Sequence, residues 1–236
     1  MAVSVKKARP AVDRGAVVVV ANRKGGTGKS LLARCLAECW HKRGRPVMLV
    51  DTDPQRGIHR AESGFLPPDC PFETLIADRV GIGPLRARVA AHRDAGAIVV
   101  VDTAGFLTEE NGAILLDADL VLIPAQPSLD DVYPSLDTTT VIEQLETSAA
   151  RGGRPLPYRV VLNRVKPRVT LTDVVRQMLV DVNVPVLASK IMERVRFEEI
   201  KLAGVPSYGS TAMGDFRALV DEVENVLMSV EGAPWR

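Results

Sequence analysis

The sequence predicts an α/β doubly wound fold, a mostly parallel sheet flanked by helices on both faces, and three observations predict it. Short runs rich in β-branched residues recur from end to end, longer amphipathic segments separate them, and nearly all the runs lack the alternation of a half-buried strand. Runs that are apolar on both faces need cover on both faces, so helices must pack above and below the sheet. The strand runs are Ala16–Ala21, Val47–Asp51, Ala97–Asp102, Leu120–Pro124, Arg159–Asn163 and a shorter Val186–Ser189. The helical pattern fits Gly28–Lys42, part of Pro84–His92, Leu129–Ser148, Leu171–Val180, Val195–Ala203 and Met213–Val230. Residues 65–72, with Pro67, Pro68 and Pro71, and residues 152–157 read as loops within one sheet, because a strand follows each.

With 236 residues, 46% hydrophobic and 25% charged, the chain can bury one proper core. Residues 15–236 are therefore expected to form a single domain behind a flexible basic arm, residues 1–14, which carries Lys6, Lys7, Arg9 and Arg14. A formal net charge of +1 and an aromatic share of 4% exclude a broad cationic field or a bank of stacking rings, so any contact with a polyanion must be a local patch. Three cysteines, Cys35, Cys39 and Cys70, make a poor disulfide framework and fit a reducing cytosol. Cys35 and Cys39 stand four apart on a helical pattern and read as two small buried thiols. No apolar run approaches the roughly 20 residues needed to span a bilayer.

The chemistry begins directly after the first strand, at Asn22, Arg23, Lys24, Gly25, Gly26, Thr27, Gly28, Lys29 and Ser30, before a helix that opens with Leu31. Glycines at 25, 26 and 28 let the backbone curl so that N–H groups point inward at phosphate oxygens, and the helix start adds its partial positive charge. Lys29 is placed to bridge the terminal phosphates and the Ser30 hydroxyl to ligate Mg²⁺. In the usual G-x-x-x-x-G-K-[ST] pattern the first glycine stands where this chain has Arg23, and a second lysine, Lys24, follows. Carboxylates then arrive at two further strand ends, Asp51-Thr52-Asp53-Pro54-Gln55 and Asp102-Thr103-Ala104-Gly105. Parallel strands lie about 4.8 Å apart, so acids at neighbouring carboxyl ends converge near the phosphates.

The loop with Lys24 ahead of Gly25 and Gly26 resembles the deviant Walker A motif of the ParA/MinD family of ATPases. The Asp-x-Asp-Pro-Gln stretch is similar to the family's second acidic motif, and Val99–Gly105 is similar to its Walker B strand and turn. The resemblance covers the chain from about Ala16 to the last helix and implies a P-loop ATPase that binds ATP and Mg²⁺. It implies that Lys24 reaches across a dimer to the partner's nucleotide and that Lys24, Gly25, Gly26, Thr27, Gly28, Lys29 and Ser30 cradle the phosphates. Asp51 and Asp102 then organise the metal shell with Ser30, and Asp53 positions or activates the hydrolytic water. Asn163 matches the family's adenine-reading asparagine, and Pro124–Ser128 resembles the turn near the dimer face.

Within that family, a membrane-docking tail does not fit a carboxyl end that carries Asp215, Asp221, Glu222, Glu224 and Glu231 against few cations. Iron–sulfur relatives place paired cysteines later in the chain than Cys35, Cys39 and Cys70. The closest resemblance is to small ParA-type partition ATPases. It implies a cytoplasmic, nucleoid-associated homodimer in the ATP state, nonspecific DNA as a ligand, and a partner or adaptor protein that stimulates hydrolysis. The cargo is a plasmid, a chromosome or a protein assembly, with a low-copy plasmid as the first expectation. Arg164, Lys166 and Arg168, together with Lys190, Arg194, Arg196 and Lys201, are the candidate DNA contacts. The competing reading is a nucleotide-regulated binding or assembly protein, a MinD-like positioning factor or a repressor, in which hydrolysis is incidental.

Overall fold

The computed structural model describes residues 14–53, 58, 72–77, 80–104, 109–200 and 204–229. The strands are β1 (Ala16–Val20), β2 (Val47–Asp51), β3 (Glu73–Ile76), β4 (Ile98–Asp102), β5 (Leu120–Ala125), β6 (Tyr158–Val165) and β7 (Val186–Met192). The helices are α1 (Lys29–Lys42), α2 (Ile82–Asp94), α3 (Glu109–Leu115), α4 (Leu129–Glu146), α5 (Leu171–Asp181), α6 (Val195–Glu198) and α7 (Gly214–Ser229). One seven-stranded sheet has the order β3-β2-β4-β1-β5-β6-β7, and every neighbouring pair is parallel.

The continuous apolar runs have the two-sided burial they predict. Along β1, Ala16, Val18 and Val20 pack into the core on one face and Val17 and Val19 into the core on the other. β4 repeats this, with Ile98 and Val100 on one side and Val99 and Val101 on the other. Helices α1 and α7 cover the first face, while α2, α4 and α5 supply the second. Each buried valine contributes about 1.5–3 kcal/mol. Cys35, Cys39 and Trp40 lie on the buried side of α1, and the Trp40 indole N–H donates to Glu224 of α7 at 3.0 Å. Burial pushes the Cys35 thiol pKa upward and that of Cys39 up to about 12, so both sulfurs stay protonated.

Three expectations need correction. No strand was expected between Val47–Asp51 and Ala97–Asp102, yet β3 stands there, an edge strand of four residues with only Leu75 buried, too short to leave an apolar run. Asp102 consequently ends the fourth strand in the chain rather than the third. The helix expected over Val195–Ala203 is interrupted by a turn at Glu199 after α6, with residues 201–203 outside the described residues, and α3 adds a seven-residue helix that the periodicity did not show. The arm apart from Arg14, Pro54, Gln55, Gly105, Cys70, Lys201, Glu231 and residues 65–71 lie outside the described residues. Among the described residues no helix is long and apolar enough to cross a membrane.

Candidate functional site: the glycine loop and its two flanking corners

The sheet order puts β1 in the middle, so the loop that leaves its carboxyl end lies between the ends of β4 and β2 on one side and β5 and β6 on the other. Register brings the acids together. Val20 pairs with Asp102, and Asp102 pairs with Asp51, so three strand ends finish level.

The loop itself is held by its carbonyls. Lys29, buried at the start of α1, donates from Nζ to the Lys24 carbonyl at 3.1 Å. Gln126 Nε2 donates to the Gly26 carbonyl at 3.0 Å and Asn163 Nδ2 to the Thr27 carbonyl at 2.7 Å. With those carbonyls tied back by side chains, the loop's N–H edge is the one left to meet a ligand. Gly26 and Gly28 have φ of 79° and 93°, a backbone that side chains rarely adopt. At Gly28 a Cβ would also stand 2.3 Å from Asn163 Nδ2, so that position has no room for one. Around Gly25 and Gly26 nothing lies within 4 Å of a Cβ position, which leaves the outer rim of the loop open. Thr27 is fully buried and its Oγ1 has no hydrogen-bond partner.

The two acids behave differently although both are fully buried. Asp51 Oδ1 accepts the Asp53 N–H at 3.0 Å and Oδ2 the Ile58 N–H at 3.2 Å, so its carboxylate shapes the chain that follows β2. Neither oxygen of Asp102 has a partner at hydrogen-bond geometry. Burial pushes the Asp102 pKa up to about 8; the Ser30 hydroxyl and Lys29 oppose the rise, while Asp51 and Asp53 add to it. Lys29 is lowered from its ordinary range by the same desolvation, against the pull of Asp102 and Asp53. A buried carboxylate, a hydroxyl and an ammonium at one mouth are a donor set for a phosphate and its cation. Among the described residues no group of three or more His, Cys, Asp or Glu side chains is ready to hold a metal alone.

On the opposite flank Lys24 is not extended toward the loop mouth. Its Nζ pairs with Asp131 and donates to the Asp130 carbonyl at 3.2 Å, both in the first turn of α4. Asn163 is buried with its amide on Thr27 and its Oδ1 accepting the Arg164 N–H at 2.9 Å. Beside it, Leu31, Arg164, Met192, Arg194 and Phe197 help line a small pocket of about 40 Å³. The candidate DNA cations separate into two groups. Lys166, Arg168 and Lys190 share a pocket of about 260 Å³ at the turn between β6 and α5. Charge partners stand beside cations of both groups: Lys166 pairs with Glu193 at 3.6 Å, Arg194 with Asp215 at 3.0 Å and Arg196 with Glu199 at 3.7 Å.

Sequence reasoning missed Asp131. Acids in a first helical turn ordinarily read as partners of the helix dipole, and only the fold shows one of them turned inward.

Residues 18–207 match the family model described as the CobQ/CobB/MinD/ParA nucleotide binding domain. The chain is 28% identical to the maintenance of carboxysome distribution protein A of Halothiobacillus neapolitanus, over 93% of this chain and 98% of that protein. It is 27% identical to protein ParA of Rhizobium radiobacter, over 91% of this chain and 95% of that one. Among solved structures it superposes with a TM-score of 0.71 on the cobyrinic acid a,c-diamide synthase of Mycobacterium smegmatis bound to an ATP analogue and magnesium. That match covers 91% of this chain and 96% of the other at 18% identity, a likeness of fold.

Proposed function

The chain belongs to the CobQ/CobB/MinD/ParA nucleotide-binding family, and on that premise we propose that it is an ATP- and Mg²⁺-dependent ATPase that dimerises around its nucleotide. In the ATP state it binds DNA without sequence preference, and a partner protein that stimulates hydrolysis lets it position a cargo from the nucleoid, in the cytoplasm. The observation that carries the reading is the buried, unpartnered Asp102 carboxylate beside Lys29 and Ser30 at the glycine loop.

The residues divide the work by position. Amides from Gly25 to Gly28 hold phosphate oxygens, and Lys29 neutralises charge where the terminal phosphates lie. Ser30, Asp102 and Asp51 would hold Mg²⁺, Asp51 through water because its own oxygens already accept two backbone N–H groups. When bound, the metal supplies charge neutralisation on the phosphoryl group. Asp53, half-buried and next to that shell, orients the attacking water. Asn163, at the edge of the small pocket beside the loop, contacts the base, and Lys24 serves a partner's nucleotide. The pocket of Lys166, Arg168 and Lys190 supports phosphate contacts with DNA. The name of one relative points to carboxysome distribution, and the cargo is a protein assembly, a plasmid or a chromosome.

The test is steady-state ATP hydrolysis with and without Mg²⁺ and nonspecific DNA. Turnover that needs the metal and rises with DNA or partner is expected, and nucleotide binding with no hydrolysis under any of these conditions sinks the ATPase reading. For Asp53→Ala the expectation is a dimer locked in ATP that stays on DNA. Rapid hydrolysis in that variant moves the water-orienting role elsewhere.

A further inference from the structure

We propose that Asp131 is a positioning residue for Lys24: it holds the lysine folded back on its own chain, and that hold sets how readily the lysine becomes available to a nucleotide. The proposal rests on the reading that Lys24 serves a partner's nucleotide, and it adds a restraint acting in the free chain.

The seat for the lysine is built from two acceptors. One is the Asp131 carboxylate, only 1% exposed although it sits in the first turn of a surface helix. The other is the Asp130 carbonyl, which in a regular helix would accept the N–H of the residue four positions on. That residue is Pro134, inside α4, and it has no N–H to give. The sequence therefore leaves a carbonyl unclaimed by the helix next to a buried carboxylate, and Lys24 Nζ takes both. The backbone of Lys24 is fixed from the same corner. Its N–H donates to Asn22 Oδ1 at 2.9 Å, and Asn22 Nδ2 bonds the Pro124 carbonyl at 2.9 Å and Ser135 Oγ at 3.3 Å.

The second oxygen of Asp131 reaches the loop by another route. Oδ2 accepts the Gln126 N–H at 2.8 Å, and the Gln126 side chain donates to the Gly26 carbonyl. One carboxylate thus restrains Lys24 directly and Gly26 through Gln126. Stripping the cation from a buried carboxylate is strongly unfavourable unless another interaction replaces it. Lys24 consequently leaves only for an acceptor of comparable charge, such as a triphosphate.

Asp131→Asn tests this because it keeps an oxygen for the Gln126 N–H and removes the charge that holds the lysine. Sedimentation velocity of the full chain with ATP and Mg²⁺ should show self-association at about tenfold lower protein concentration, the equivalent of one weakened ion pair. An unchanged concentration dependence in a variant that melts cooperatively overturns the proposal. A second measurement needs neither nucleotide nor dimer: melting temperatures of the free chain as wild type, Lys24→Met, Asp131→Asn and the double variant. Lys24→Met alone should lower melting by about 3–6 °C, and adding Asp131→Asn should return most of the loss, since no buried charge then remains unpaired. If Lys24→Met melts like wild type, or if the second change deepens the loss, no such hold exists and the proposal fails. Should the melting pattern hold while the wild-type chain never self-associates with ATP, the restraint is supported and the dimer reading is what falls.

Discussion

Two buried aspartates flank the same glycine loop, and their surroundings are opposite. At the end of β4, Asp102 is enclosed with no hydrogen-bond partner, and burial drives its pKa up to about 8. At the start of α4, Asp131 is as deeply enclosed but holds Lys24 on one oxygen and the Gln126 N–H on the other. A buried carboxylate that is satisfied acts as a restraint on the groups that satisfy it. One that is not satisfied stores unfavourable free energy that a cation or ligand can release. The acid corner is therefore built to receive, and the α4 corner to hold.

The sharpest way to break this contrast is at Lys29, the cation between the two corners. Lys29→Ala should abolish ATP binding in an equilibrium titration, and normal affinity would remove the phosphate site from this loop altogether. Asp102→Asn is next. Above about pH 8, where Asp102 ionises in the free chain, it removes a desolvated charge, so the melting temperature there should rise, by about 1–3 kcal/mol of stability, while stabilisation by Mg²⁺ with nucleotide disappears. A fall in stability would mean that Asp102 is paired after all and that the two corners are alike. The smallest effect is expected at Asn163. Asn163→Ala frees the Thr27 carbonyl and should weaken ATP affinity about tenfold, the order of one buried hydrogen bond. An unchanged affinity would show that the loop holds its shape without its β6 neighbour.

Much of this was legible in the chain. The runs at β1, β2, β4 and β5 have to be buried on both faces, and Gly28-Lys29-Ser30 after the first of them marks the site without any coordinates. β3 escaped because a four-residue edge strand buries too little to leave a pattern. The difference between Asp51 and Asp102 was also invisible. Both end a strand and precede a threonine, and only the backbone after β2, folding back onto Asp51, separates them. Asp131 was hidden for a related reason, because its inward turn depends on a lysine over a hundred positions earlier.

Helix α1 carries a consequence of its own. Cys35 and Cys39 are sealed beneath it with their sulfurs protonated, so the native chain offers neither one to a thiol reagent. Modification at these positions can proceed only through excursions that lift α1 off the sheet. The rate of that modification is thus a clock fitted inside the nucleotide-binding helix, one that should slow whenever a ligand pins the helix's first turn.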